Sequence, residues 1–197
     1  MNVSRETMDR LEAYRDLVLK WNKSINLIGR GTEADIWERH IQDSLQLLDD
    51  APSGEHWADL GSGGGFPGLV VAIATADLPE APRITLVESD ARKCVFLREV
   101  ARQLDLNVIV QTSRIETLAP QNADIVSARA LAGLDQLMGY AHRHLKPGGG
   151  CNFLKGAGWE QEVRDARTHW AFDCQHVPSH TRSDAVILKI RGLSRVE

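Results

Sequence analysis

Four glycines in five positions, Gly61, Gly63, Gly64 and Gly65, interrupt an otherwise apolar stretch and limit what this chain can fold into. Before them, His56 to Leu60 (HWADL) reads as a short buried strand; after them, Phe66 to Ala76 (FPGLVVAIATA) reads as the start of an apolar helix. Glycine reaches positive φ cheaply and has no Cβ to hold a ligand away from the backbone. The loop opens into a helix N-terminus, where unpaired N–H groups and the helix dipole favour an anionic group. Strand, glycine loop and helix in that order predict a nucleotide-cofactor cradle. An ordinary turn has no need of so many glycines, each of which costs conformational entropy.

Two cofactors compete for that cradle. Gly63-Gly64-Gly65-Phe66-Pro67-Gly68 matches the G-x-G-x-x-G fingerprint of dinucleotide sites. Asp59 with Gly61, Gly63 and Gly65 matches instead the acidic-x-G-x-G-x-G pattern of class I methyltransferases. A carboxylate at the strand end would repel a pyrophosphate but suits the amino and sulfonium end of S-adenosylmethionine, so Asp59 favours the second reading. The next strand, Arg83 to Glu88, ends in an acid about 20 residues beyond the loop, where either cofactor needs a carboxylate for its ribose hydroxyls. Glu88 is that candidate, with Asp90 opening the helix behind it.

The chain has 197 residues, enough for one domain with a substantial core. Its net charge of −4 excludes a surface that is basic all over, so any RNA contact must come from a local patch. No apolar run is long enough to span a bilayer, and MNVSRETMDRLEAYRD does not read as a secretory signal, so a cytoplasmic protein is expected. Cys94, Cys151 and Cys174 are scattered and suit buried thiols in a reducing compartment. His142, His144, His176 and His180 lack a Cys or carboxylate to complete a ligand set, so no metal is expected.

Ser4 to Ser24 predicts an amphipathic helix, with Met8, Leu11, Tyr14, Leu17, Val18, Trp21 and Ile25 on one face. Thr32-Glu33-Ala34-Asp35 approximates a capping box and predicts a second helix. That helix carries Arg39, His40, Asp43 and Ser44, and His40 and Asp43 lie one turn apart, close enough to touch. After the break at Pro52-Ser53-Gly54, strands alternate with helices. Strands are expected at 56–60, 83–88, 107–111, 123–127, 150–154, 171–177 and 184–191, and helices at 66–76, 90–104, 131–145 and 159–168. This alternation predicts a mostly parallel α/β sheet with right-handed crossovers, its last two strands forming an antiparallel hairpin.

Ligands of such sheets bind beyond the carboxyl ends of the strands. Thr112 to Glu116 follows the third strand, where backbone groups of Ile115 and Glu116 can meet the adenine edge. Arg129 closes the fourth strand, beside the glycine loop, and its guanidinium can fork onto a carboxylate or phosphate. Lys155 follows the fifth and can reach a substrate phosphate. Arg92, Lys93, Arg98 and Arg102 share a helix whose buried partners make most of them a solvated face.

Several segments together carry a family likeness: Trp21-Asn22 with Asn26-Leu27, Arg39-His40-Ile41-Gln42-Asp43-Ser44-Leu45, and Asp59 to Gly68. Ser113 to Glu116, Ser127 to Ala130 and Leu154-Lys155-Gly156 extend it. In this order they resemble the RsmG family, also called glucose-inhibited division protein B. The resemblance implies a class I, Rossmann-like fold: a mostly parallel seven-stranded sheet with an N-terminal helical extension (1–50) on an α/β core (55–197), in one domain. It implies transfer of a methyl group from S-adenosylmethionine to N7 of the guanine at position 527 of 16S ribosomal RNA. S-adenosylhomocysteine is then the product, the 30S subunit or an assembly intermediate the partner, and monomer the default state. Carried over by residue, it places the cofactor on Gly61, Phe66, Ile115, Glu116 and Arg129, while Glu88 matches the ribose-binding acid of the wider class. It moves His40, Asp43 and Ser44 to the substrate side. A methyltransferase acting on another RNA, a protein or a small molecule, and a non-catalytic nucleotide-binding module, remain the competing readings.

Overall fold

A computed structural model of the chain describes residues 3–49 and 55–196. The break expected at Pro52-Ser53-Gly54 lies outside the described residues. Helix α1 (Arg5–Asn22) starts where the Ser4 hydroxyl accepts the Thr7 N–H at 3.0 Å. Leu11, Tyr14 and Val18, at three-and-four spacing, are buried. Trp21 tilts against Phe96, with ring centroids 5.6 Å apart.

The second helix differs from the capping-box expectation. A 3₁₀ turn covers Arg30–Thr32, a π-helical segment covers Trp37–Gln42, α2 spans Asp43–Leu45 and a 3₁₀ turn ends it at Gln46–Leu48. Thr32 caps nothing, because its hydroxyl donates to the Gly29 carbonyl at 2.8 Å. The wider π turn, a feature that often marks functional sites, shifts the face on which Arg39 and His40 emerge.

The sheet contains β1 (His56–Leu60), β2 (Arg83–Glu88), β3 (Val108–Thr112), β4 (Ala123–Arg129), β5 (Leu145–Lys155), β6 (Trp170–Pro178) and β7 (Val186–Arg195), in the order β3-β2-β1-β4-β5-β7-β6. The first five strands pair in parallel; β7 joins β5 and β6 antiparallel, the hairpin the sequence predicts. Strand β5 begins five residues before the expected start, since Leu145 already pairs with Ala123 ahead of a register shift.

Helices α3 (Gly68–Thr75) and α4 (Ala91–Gln103) share one apolar layer with α1 and the segment around Ile36, Ile41 and Leu47. Helices α5 (Leu134–His144) and α6 (Trp159–Ala166) pack on the other layer, around Leu137, Met138, Phe153 and Ile190. The N-terminal segment is therefore held by core side chains such as Leu11 and Val18, each contributing about 1.5–3 kcal/mol on burial.

Register then builds the site. Leu60 pairs with Val87 on one side and Ala128 on the other. The next residue on each strand is Glu88, Gly61 and Arg129, so the loop emerges between an acid and a guanidinium at the switch point. Ser113 follows β3 and Lys155 ends β5, extending the row of strand ends.

Candidate active site

Two cavities lie side by side at these strand ends. The first, about 430 Å³, is lined by the Gly61–Gly64 loop, Phe66, Glu88, Lys93, Ser113–Glu116, Leu131 and Tyr140. The second, about 410 Å³, is lined by Arg39, His40, Asp43, Lys155, Glu162 and Arg182 among others. Leu27, Arg129 and Ala130 line both.

The glycine loop forms one wall of the first cavity. Gly61 has φ +67°, and a Cβ there would stand 2.5 Å from Leu131 Cδ1. Gly63, at φ +55°, donates its N–H to Glu88 Oε2 at 2.9 Å, while Glu88 Oε1 accepts the Asp90 N–H at 2.8 Å. One donor on each oxygen leaves lone pairs free for a vicinal diol. At the far end, Ile115 and Glu116 line the wall: the Ile115 carbonyl accepts from His144 Nε2 at 2.9 Å, and Glu116 Oε1 accepts from the Tyr140 hydroxyl at 2.6 Å. A glycine-rich loop, an acid with free lone pairs and the wall at Ile115 fit S-adenosylmethionine.

Two residues of the glycine pattern serve the loop and not the cavity. Asp59 has no exposed surface and lines neither cavity; Oδ1 accepts from the Ser127 hydroxyl at 2.7 Å and Oδ2 from the Gly68 N–H at 3.3 Å. The sequence assigned it to the cofactor's amino and sulfonium end; it instead fixes the start of α3 to β4. Burial pushes its carboxyl up to about 6, against the pull of Ser127, Ser62, the Gly68 N–H and Arg129. Gly65 (φ +94°) turns its missing side chain inward, where a Cβ would meet Leu69 Cδ1 at 2.4 Å and the Tyr14 hydroxyl at 2.8 Å.

The loop is braced from α1. The Tyr14 hydroxyl donates to the Gly64 carbonyl at 2.6 Å, and burial raises its pKa well above the ordinary value, so it stays a donor. Tyr14 and His40 flank the Phe66 ring at 5.2 and 5.1 Å, and the Arg129 guanidinium lies 5.0 Å from its centroid.

Arg129 Nη1 donates to the Arg39 carbonyl at 3.0 Å, and Nη2 lies 2.7 Å from His40 Nδ1. A guanidinium only donates, so Nδ1 accepts, and the Nε2–H must donate to Thr32 Oγ1 at 2.9 Å. Burial, then Arg129 and Arg39, drive the His40 pKa to about 3, which keeps the ring neutral in this tautomer. Burial also pulls Arg129 below the usual guanidinium value, opposed by Asp43, Tyr14 and Asp59. His40 thus aims Arg129 at the wall between the cavities.

The remaining substrate-side expectations fare differently. His40 and Asp43 do not pair with each other: Asp43 turns to Gln46, Ser179 and Thr181. Ser44 is buried and back-bonds to the His40 carbonyl at 2.6 Å, so it lines no cavity and holds the helix turn. Lys155 does line the second cavity, but its ammonium meets Glu162 at 2.6 Å and the Ala132 carbonyl at 3.1 Å, which balances its charge locally. Sequence reasoning missed Tyr14, Thr32, Lys93 and Tyr140. It also missed Asn22, whose Oδ1 accepts the Leu27 and Ile28 N–H groups at 2.8 and 3.0 Å and so shapes the wall at Leu27. Among the described residues, no group of His, Cys, Asp and Glu could hold a metal ion, and no helix is long and apolar enough to cross a membrane.

A seven-stranded sheet with a glycine loop at its switch point and an acid on the following strand defines a class I methyltransferase. A solved SAM-dependent methyltransferase from Aquifex aeolicus shares the fold, with a TM-score of 0.59 at 13% identity over 91% of this chain and 97% of that one. The family described as "rRNA small subunit methyltransferase G" matches residues 7–188, and the chain belongs to it. Relatives named "Ribosomal RNA small subunit methyltransferase G" are 55% identical in Cereibacter sphaeroides (strain ATCC 17025) and 50% identical in Ruegeria sp. (strain TM1040). Each match covers 100% of this chain, and 95% and 96% of those proteins.

Proposed function

We infer that this chain transfers the methyl group of S-adenosylmethionine to N7 of a guanine in 16S ribosomal RNA, and we propose the guanine at position 527 as its target. The observation that carries the reading is the shared wall of the two cavities. Leu27, Arg129 and Ala130 line both, and none of them takes up a proton at neutral pH. Guanine N7 has an in-plane lone pair and needs no base to uncover it, so such a junction suits it.

S-adenosylmethionine supplies an electrophilic methyl group on a sulfonium centre. For this chain we propose that Glu88 takes its ribose hydroxyls, the Ile115–Glu116 backbone its adenine, and Gly61 and Gly63 its amino-acid end. Arg129, aimed by His40, pairs with its carboxylate or with a substrate phosphate. The protein's part in the reaction is alignment and exclusion of water. Arg39, also at the second cavity, supplies local positive charge for RNA on a chain whose net charge is −4, whereas Arg182 there is paired with Asp184 at 2.6 Å. The chain works as a single cytoplasmic, monomeric domain on the 30S subunit or an assembly intermediate.

Mass mapping of 16S RNA from cells with and without the protein tests this. A 7-methylguanine at position 527 that disappears with the protein is expected. An unchanged methylation map, or loss at another atom, contradicts it.

A further inference from the structure

Adenine also offers N7, so the chemistry at the junction does not by itself select guanine. With N7 and O6 turned to the methyl donor, guanine's distinguishing donors, N1–H and the 2-amino group, face away and require an acceptor. Of the carboxylates near the junction, Asp59 has both oxygens engaged and lines neither cavity. Glu162 Oε2 is held by Lys155 and by the Leu134 N–H at 2.7 Å.

Asp43 is different. Its Oδ1 accepts from the Ser179 hydroxyl at 3.1 Å, the Thr181 hydroxyl at 3.0 Å and the Gln46 amide at 3.3 Å. Gln46 Oε1 in turn accepts the His180 N–H at 2.6 Å, locking the turn between β6 and β7 onto α2. Oδ2 carries no hydrogen bond among the described residues. The residue is 9% exposed, and it lines the second cavity. With Oδ1 fixed by three donors, Oδ2 is the oxygen left open towards the cavity, free to accept from a ligand there.

We propose that Asp43 selects guanine, its Oδ2 accepting from the N1–H and 2-amino edge of the base held in the second cavity. This inference rests on the N7-guanine reading above. As N7 shares its lone pair with the methyl carbon, the C–S bonding pair stays on sulfur and no proton leaves. The purine becomes a cation, and its N1–H becomes a stronger donor. A fixed carboxylate opposite that N–H therefore binds the transition state more tightly than the ground state. Asp43 is thereby a specificity-determining residue whose loss lowers the rate of transfer more than RNA binding.

The test uses 30S particles reconstituted with 16S RNA carrying guanosine or inosine, which lacks the 2-amino group, at position 527. Single-turnover transfer is measured, together with particle binding in the presence of S-adenosylhomocysteine. The intact protein is expected to favour guanosine by about 10-fold in rate and to bind the guanosine particle the more tightly of the two. Asp43→Asn lowers the guanosine rate at least about 10-fold and removes the preference in both readouts, with cofactor affinity unchanged. Thr181→Val, which loosens the clamp but keeps the carboxylate, slows both substrates alike and preserves the ratio. A guanosine-to-inosine ratio unchanged in Asp43→Asn, or one lost equally in Thr181→Val, overturns the proposal and leaves the N7 reading intact. Methylation of the guanosine particle at another atom overturns both.

Discussion

The first cavity is built around the glycine loop of one strand–loop–helix unit, whereas the second has no such loop and is assembled from the N-terminal segment, β5 and the β6–β7 turn. In the first, Gly61 and Gly63 sit at positive φ and the acid that holds the loop follows on the adjacent strand. In the second, Arg39 and Asp43 come from the N-terminal segment, Lys155 from β5 and Arg182 from the β6–β7 turn. Only Arg129, with Leu27 and Ala130 beside it, belongs to both. The contrast teaches that the conformation of the glycine loop is a local property of the β/α unit, braced by Tyr14 from α1, while the substrate cavity depends on both the N-terminal segment and the C-terminal hairpin docking correctly.

The largest effect should fall on the backbone cradle. Gly61→Ala forces a Cβ against Leu131 at an unfavourable φ, and is expected to weaken S-adenosylhomocysteine binding at least about 100-fold by calorimetric titration. Near-normal binding would mean that this loop is not what holds the cofactor.

Arg129→Ala comes next, because it touches both cavities. We expect kcat/KM for 30S particles to fall about 100-fold and cofactor affinity about 10-fold. Loss confined to RNA binding would place Arg129 with the second cavity alone; normal values for both would remove it from the site.

Smaller effects should appear as opposite pH dependences. The Asp59 carboxyl stands near 6 when folded and about 3.9 unfolded, so between those values the folded state binds more protons. Its contribution therefore weakens as pH rises through that window, by about 3 kcal/mol in all, and recovers on acidification. His40 is the reverse: about 3 folded against about 6.5 unfolded, so its stabilising part is present above the unfolded value and is lost as pH falls towards 3. Thermal melts from pH 7 to 4.5 should show wild type gaining relative to Asp59→Asn, and losing relative to His40→Gln, as pH falls. Difference profiles that run parallel would contradict the burial of one or both groups.

The same contrast explains what could be read in advance. Strands β1 and β2 match their expected limits because the glycine loop ends the first at Leu60 and an acid ends the second at Glu88. Helix α1 was legible from the spacing of Leu11, Tyr14 and Val18. The π-helical turn was not, since a locally widened helix leaves no periodic trace over six residues. Tyr14 read as one more apolar-face residue, yet its hydroxyl reaches a loop 50 positions away. Asp59 and Gly65 belong to the pattern that identified the cradle, but the pattern records which residues the loop needs, not which face the ligand. Asp43 and Ser179, 136 positions apart, could be joined only by the folded chain.

A crystal structure with S-adenosylhomocysteine tests the central claim most directly, that one shared wall brings a methyl donor up to a nucleobase cavity. The ribose should lie on Glu88, the adenine against Ile115, and the sulfur beside Arg129 facing the cavity that Asp43 lines. A ligand seated elsewhere, or a sulfur turned away from Arg129 and walled off from that second cavity, would contradict it.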